Sequence, residues 1–270
     1  MLKSIILGIV QGLAEFLPIS SSGHLVLAER LLALNQPGML FDVMLHFGTL
    51  VAVFVIFRKR LLNLILGICR RNPEDLHYAG YIILASIPTA IIGIGFKDRI
   101  ESLFENPQVV CVMLLVTGVL LFCTKFSKAP GSEESKASSM NWKRALVVGT
   151  VQGIACIPGI SRSGSTISSM LFLGVNRKYA GEFSFLMSIP AVGGAALLEL
   201  KDWLSCRGAQ SAECMNSGNM DLALLAGIVA AFISGVMALK WLLSFVQKGK
   251  LHYFAWYVWA AGILGLIFIR

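Results

Sequence analysis

One polar stretch occurs twice in an otherwise apolar chain. Residues 8–24 read GIVQGLAEFLPISSSGH, and residues 149–165 read GTVQGIACIPGISRSGS. Nine of the seventeen aligned positions are identical, at a constant offset of 141 residues. A duplicated segment of this length implies a duplicated scaffold. The copies differ where chemistry is expected: Glu15 aligns with Cys156, Ser21 with Arg162, and His24 with Ser165. One copy therefore carries a carboxylate and an imidazole, and the other a guanidinium. Complementary groups on two related scaffolds point to one composite site.

The composition places that scaffold in a bilayer. Hydrophobic residues make up 56% of the chain and charged residues only 14%, where a soluble domain carries about a quarter. The net charge of +8 is not read as a nucleic-acid signal, because the cations cluster in short loops between apolar runs. The six cysteines show no metal-ligand spacing. Cys206 and Cys214 share one loop, and a disulfide between them is compatible with an extracytoplasmic position.

Crossing about 30 Å of hydrocarbon takes roughly 20 apolar residues. Six segments qualify: Leu40–Phe57, His77–Phe96, Gln108–Lys125, Tyr179–Leu198, Leu222–Val246 and His252–Ile269. Two more, Leu2–Leu34 and Trp142–Gly174, are apolar but interrupted by Pro, Gly and Ser, and each contains one repeat copy. Cation-rich loops orient the crossings. Arg58, Lys59, Arg60, Arg70 and Arg71 mark one cytoplasmic loop, Lys125, Lys128, Lys136, Lys143 and Arg144 a second, and Lys248 and Lys250 a third. For this alternation to hold, each interrupted segment must return to the side from which it came. The expectation is an all-α integral membrane protein with six transmembrane helices and two re-entrant helical hairpins in an inverted-topology repeat. The chain reads as a single membrane domain over residues 1–270, with halves of about 1–127 and 142–270 and a linker of about 128–141.

Several residues stand out within the repeat. Gln11 and Glu15 are spaced i, i+4 and share one helix face. An intramembrane carboxylate costs about 2.5–3.5 kcal/mol to insert and is a functional candidate by default. Ser20, Ser21, Ser22 and Gly23 open the second arm of the first hairpin, and Ser161, Arg162, Ser163, Gly164, Ser165 and Thr166 open that of the second. One serine suffices to cap a helix. The remaining hydroxyls, two facing helix starts and the planar charge of Arg162 suit a phosphate. His24 lies one turn after Ser20, in reach of a base, acid or nucleophile role. His46, beside Gly48 and Thr49 in the first crossing, is a candidate cavity-lining residue. Glu182 is expected either to pair with Arg177 or Lys178 or to support the second hairpin.

QGLAEFLPISSSGH together with PGISRSGST resembles the signatures of the bacterial undecaprenyl-pyrophosphate phosphatase family, also called bacitracin-resistance proteins. EFSFLMSIP and FDVMLHFGTLVAVFVIFRKR extend the likeness over essentially the whole chain. The resemblance implies hydrolysis of the phosphoanhydride of a C55 isoprenyl diphosphate to the lipid monophosphate and inorganic phosphate. That reaction recycles the carrier for peptidoglycan synthesis and confers bacitracin resistance. The resemblance further implies a plasma-membrane protein, a site opening to the extracytoplasmic or periplasmic side, and a divalent cation, Mg2+ or Ca2+. By position, Glu15, His24, Ser21 and Arg162 carry over as the catalytic set, and Gln11 and Glu15 as the metal-associated motif. Ser20, Ser22, Gly23, Ser161, Ser163, Gly164 and Thr166 carry over as substrate-binding residues. Gln11 is the neutral variant at its position and is expected to hold a cation more weakly than a carboxylate. Either Ser21, deprotonated by His24, or a water activated by His24 attacks the phosphorus. The expected partners are the polyprenyl diphosphate and the membrane, with no nucleic acid, and a homodimer is compatible with the chain. The alternative is a flippase for the carrier phosphate, or an anion transporter, using the same site.

Overall fold

Pro18 and Pro158 set the two interruptions. A residue before proline is driven out of the helical region, and Leu17 accordingly adopts φ −59° and ψ 146° at the end of the first helix. In the second copy the turn falls on Gly159, whose φ is +91°. The structure, a computed structural model, describes residues 1–31, 39–131, 140–208 and 222–269, with backbone alone for residues 39, 40, 42, 199, 200 and 202–208. Every regular element among the described residues is helical.

The first interrupted segment forms α1 (Leu2–Phe16) and α2 (Ser21–Leu31), followed by α3 (Met39–Cys69), α4 (Pro73–Gly95), α5 (Lys97–Phe104) and α6 (Pro107–Cys123). The second forms α7 (Trp142–Ile154) and α8 (Arg162–Phe172), followed by α9 (Arg177–Gly208), α10 (Leu222–Gln247) and α11 (Phe254–Phe268). Asn–Pro pairs start two helices. Asn72 and Asn106 each accept first-turn N–H groups while Pro73 and Pro107 occupy positions that need no donor.

Among the described residues, five helical stretches are long and apolar enough to cross a membrane: Pro73–Gly95, Pro107–Phe126, Arg177–Leu198, Leu222–Gln247 and Leu251–Phe268. The protein is thus a multi-pass membrane protein, and these stretches match five of the six expected crossings. The remaining one, Leu40–Phe57, falls inside α3, which is not among the five. That helix is 31 residues long and continues through Arg58, Lys59 and Arg60. The connection after α4, expected as a loop, is the short helix α5, which buries no residue and carries a Lys97–Glu101 contact of 3.7 Å one turn apart. Residues 132–139 of the expected linker, the side chain of Cys206, and Cys214 lie outside what is described.

The arms of the hairpins pack on helices from the opposite half of the chain. Helix α1 lies along α10, and α7 lies along α4. Repeated glycines permit this. A Cβ on Gly8 would fall 2.2 Å from the Gly227 carbonyl oxygen, and one on Gly149 would fall 2.0 Å from that of Ala85. Small residues one turn apart let helix backbones touch where no water can drive association. Thr117 of α6 supports the second interruption. Its hydroxyl donates to the Gly159 carbonyl at 2.9 Å and accepts the Ser161 N–H at 3.1 Å. Irregular backbone at membrane depth persists only when its polar groups are satisfied in this way.

The expected Glu182 pairing takes a different form. Its Oε1 accepts from Arg60 Nε at 2.7 Å, and Arg60 also donates to Asp75 Oδ1 at 3.2 Å and lies 4.6 Å over the Tyr78 ring. Arg60 comes from α3, so the cluster ties α3, α4 and α9 together. A partner on a distant helix displaces the sequence neighbours Arg177 and Lys178.

Candidate active site at the meeting of two interrupted helices

The two interruptions touch reciprocally. A Cβ on Gly23 would meet Gly159 Cα at 3.3 Å, and one on Gly164 would meet Pro18 Cβ at 3.2 Å. Gly159 aligns with Pro18 in the repeat, so each helix start abuts the other copy's break. Ser163 adds a bond across the same gap, donating to the Leu17 carbonyl at 3.3 Å.

Both starts are capped alike. Ser20 Oγ accepts the Gly23 N–H at 3.2 Å, and Ser161 Oγ accepts the Gly164 N–H at 3.1 Å. The next serines, Ser22 and Ser163, stand 3.2 and 3.4 Å from those capping hydroxyls. Capping therefore occupies the N–H groups of Gly23 and Gly164, which were expected to hold phosphate. Thr166 turns to α9, with its hydroxyl 2.6 Å from that of Ser184 and 2.9 Å from the Arg162 carbonyl.

Glu15, at the end of α1, is the hub. Its carboxylate is only 8% exposed. Oε2 accepts from Ser21 Oγ at 2.7 Å and from Gln11 Nε2 at 3.2 Å, while Oε1 accepts from Arg162 Nη2. The first residue of α2 and the first residue of α8 thus meet on one carboxylate from opposite sides. His46 of α3 joins them, with Nε2 3.9 Å from Glu15 Oε2. A buried carboxylate needs this neutralisation, because desolvating an unpaired charge is prohibitive.

Two buried polar atoms at this cluster, Arg162 Nη1 and Gln11 Oε1, have no hydrogen-bond partner among the described residues. Buried donors and acceptors are almost always paired in folded proteins. An unpaired guanidinium N–H beside a set of hydroxyls fits an anionic oxygen. An unpaired amide oxygen beside a carboxylate fits a hard cation, whose preferred ligands are oxygens. No group of three His, Cys, Asp or Glu is placed to hold a metal ion among the described residues. The donor set accordingly suits a cation completed by substrate oxygens and water, not a protein cage.

The cluster unites Gln11, Glu15, Ser21 and Arg162 as the sequence indicates, but it does not include His24. His24 Nδ1 lies 2.9 Å from the Ser20 carbonyl oxygen and Nε2 lies 2.9 Å from the Tyr257 hydroxyl. Both ring nitrogens are engaged with groups other than the Ser21 hydroxyl. The group that Ser21 meets is Glu15. Tyr257 has no sequence signal of its own, since it sits in an aromatic-rich terminal helix that reads as a membrane-interface belt. The second copy contributes Arg162 alone. Cys156, at the position of Glu15, lies 3.9 Å from the Gln152 carbonyl oxygen, and Ser165, at that of His24, has a buried hydroxyl without a partner.

The family described as Bacitracin resistance protein BacA matches residues 4–264. An undecaprenyl-diphosphatase of Desulfatibacillum aliphaticivorans is 43% identical, across 98% of this chain and 98% of its own. One of Carboxydothermus hydrogenoformans is 41% identical, across 98% and 96%. One of Halothermothrix orenii is 44% identical, across 98% and 96%. The chain belongs to the bacitracin resistance protein BacA family.

Proposed function

We propose that this protein is a membrane phosphatase that hydrolyses undecaprenyl diphosphate to undecaprenyl phosphate and inorganic phosphate. The observation that carries the reading is the meeting of Ser21 and Arg162 on buried Glu15, with Arg162 Nη1 buried and unpartnered beside them. Relatives named undecaprenyl-diphosphatase cover nearly the whole chain. A C55 chain is costly to extract from hydrocarbon. A site in the membrane lets the tail stay in lipid while the diphosphate reaches a polar pocket. The product would return the carrier to peptidoglycan synthesis, and the same activity would account for bacitracin resistance.

Phosphoryl transfer is chiefly positioning and charge neutralisation. Arg162 Nη1 would hold an oxygen of the terminal phosphoryl group. Ser21 would attack its phosphorus as Glu15 Oε2 takes the hydroxyl proton, and undecaprenyl phosphate would leave. Water would then cleave the phosphoserine, restoring Ser21 and releasing inorganic phosphate. Glu15 serves as base here because it is the group within hydrogen-bond reach of the nucleophile, and Arg162 and Gln11 orient it. A divalent cation, held by Glu15 and Gln11 Oε1, would neutralise charge on the diphosphate.

Pairing of α1 with α10 and of α7 with α4, together with the reciprocal contact of the breaks, supports an inverted repeat of halves 1–127 and 142–270. In that arrangement α3 supplies the sixth crossing and both hairpins re-enter from opposite faces. The cation-rich loops support a bacterial plasma-membrane protein whose site opens to the extracytoplasmic side.

The test is inorganic phosphate release from undecaprenyl diphosphate by purified protein in detergent, with and without EDTA. Release that EDTA abolishes and Mg2+ restores is expected. No release from folded wild-type protein would overturn the reading. For the nucleophile, rapid quenching should trap phosphate on Ser21, and an active Ser21→Ala variant would exclude the covalent route.

A further inference from the structure

We propose that Tyr257 is a positioning residue that holds the orientation of His24 and pairs its Nε2. The functional consequence rests on the phosphatase reading above and on the catalytic role that the family resemblance implies for His24. The geometry on which it stands does not.

His24 is held at both ring nitrogens. The Ser20 carbonyl can only accept, so the proton on the ring sits on Nδ1, 2.9 Å away. The neutral imidazole then presents a lone pair at Nε2, and the Tyr257 hydroxyl, 2.9 Å away, donates to it. The rings also stack, with centroids 5.6 Å apart and planes 13° from parallel. The Ser20 carbonyl thereby fixes the tautomer, and Tyr257 holds the ring orientation by its stacked face and its hydroxyl. The backbone end of this chain is unusual as well. Ser20 adopts φ +71°, a region that side-chain-bearing residues rarely occupy. Its carbonyl is turned to accept both the His24 backbone N–H at 3.1 Å and the Nδ1–H. A strained residue thus anchors one side of the imidazole and a residue 233 positions away holds the other.

The neighbouring aromatics do something different. Trp256 and Trp259 pack on Phe122 at 6.1 and 5.5 Å, and Tyr253 packs on His252 at 4.5 Å. Among the hydrogen bonds described for α11, that of Tyr257 reaches a histidine of the first hairpin. It also brings the last helix of the second half to the site. The geometry therefore holds His24 in one orientation, with Nε2 paired to the Tyr257 hydroxyl.

Tyr257→Phe keeps the stacked ring and removes the hydroxyl. The expected result is a fall in kcat of about tenfold with KM unchanged, comparable to loss of an orienting partner of a histidine ligand. In a His24→Ala background the same substitution should cause no further loss, because Tyr257 acts through His24. Independently of turnover, 15N NMR of histidine-labelled wild-type protein should show His24 neutral, protonated at Nδ1 and accepting at Nε2. Tyr257→Phe should shift the Nε2 signal. An Nε2-protonated tautomer in the wild type, an unchanged kcat in folded Tyr257→Phe, or an equal loss with His24 absent would each overturn the proposal. A wild-type protein that releases no phosphate would sink the phosphatase reading while the NMR result still decides the Tyr257–His24 pairing.

Discussion

Ser21 and Ser22 are adjacent and chemically identical, yet their surroundings separate them. Ser21 donates to the buried Glu15 carboxylate at 2.7 Å, whereas Ser22 lies 3.2 Å from the capping hydroxyl of Ser20. Ser21→Ala should therefore lower kcat by at least about a thousandfold, the scale on which an essential nucleophile is lost. Ser22→Ala removes one neutral hydrogen bond and should cost less than about tenfold. Phosphate-release kinetics on the two variants measures the difference, and equal losses would contradict the assignment. Arg162→Lys tests the guanidinium in the same assay. A lysine keeps the charge but cannot serve Glu15 through one nitrogen and a phosphoryl oxygen through another. A loss of about 100-fold in kcat is expected, the scale of one lost transition-state donor. Glu15 and Arg162 are legible in the sequence because ionisable groups stand out in an apolar chain, and Ser21 because it follows a proline break in a run of serines. The company they keep is less so. Sequence proximity sets His24 beside the serines, and only the three-dimensional path of α11 shows that its Nε2 meets Tyr257.

The hairpin arms α1 and α7 owe their seats to glycine, which makes a contrast within α4 and α7 informative. Gly149→Ala would place a Cβ 2.0 Å from the Ala85 carbonyl, while a Cβ at Gly80 meets nothing within 4 Å. Gly149→Ala should destabilise the protein by about 1–3 kcal/mol through overpacking. Gly80→Ala should be neutral or stabilise it by up to about 1 kcal/mol through helix propensity. Thermal denaturation in detergent reads both. Thr117→Val would strip the Gly159 carbonyl and the Ser161 N–H of their partner, at a cost of about 1–3 kcal/mol. The positions of both interruptions could be read directly from Pro18, Pro158 and the capping serines, since these act locally. The short helix α5 and the extensions of α3 and α9 past their apolar stretches could not. Helix α5 is charged and buries no residue, so it has no hydrophobic periodicity to announce it, and helix ends depend on caps and neighbours.

Taken as a whole, the molecule draws its site from both repeat copies and mounts each copy's first arm on a helix of the other half. An inverted arrangement predicts opposite exposure for α5 and for the turn after α10. In otherwise cysteine-free protein in intact cells, Glu101→Cys should react with a membrane-impermeant maleimide, and Lys248→Cys should react only after permeabilisation. Labelling of both from the same side would contradict the topology. The most direct measurement is a double-mutant cycle between the two hairpins. Phosphate release would be measured for Glu15→Gln, Arg162→Gln and the double variant. If one composite site does the chemistry, each single change should lower kcat/KM by about a thousandfold or more, and the double variant should be scarcely worse than either, because residues that act as a unit are strongly non-additive. Losses that multiply would mean that Glu15 and Arg162 work independently, and would contradict a site shared between the two hairpins.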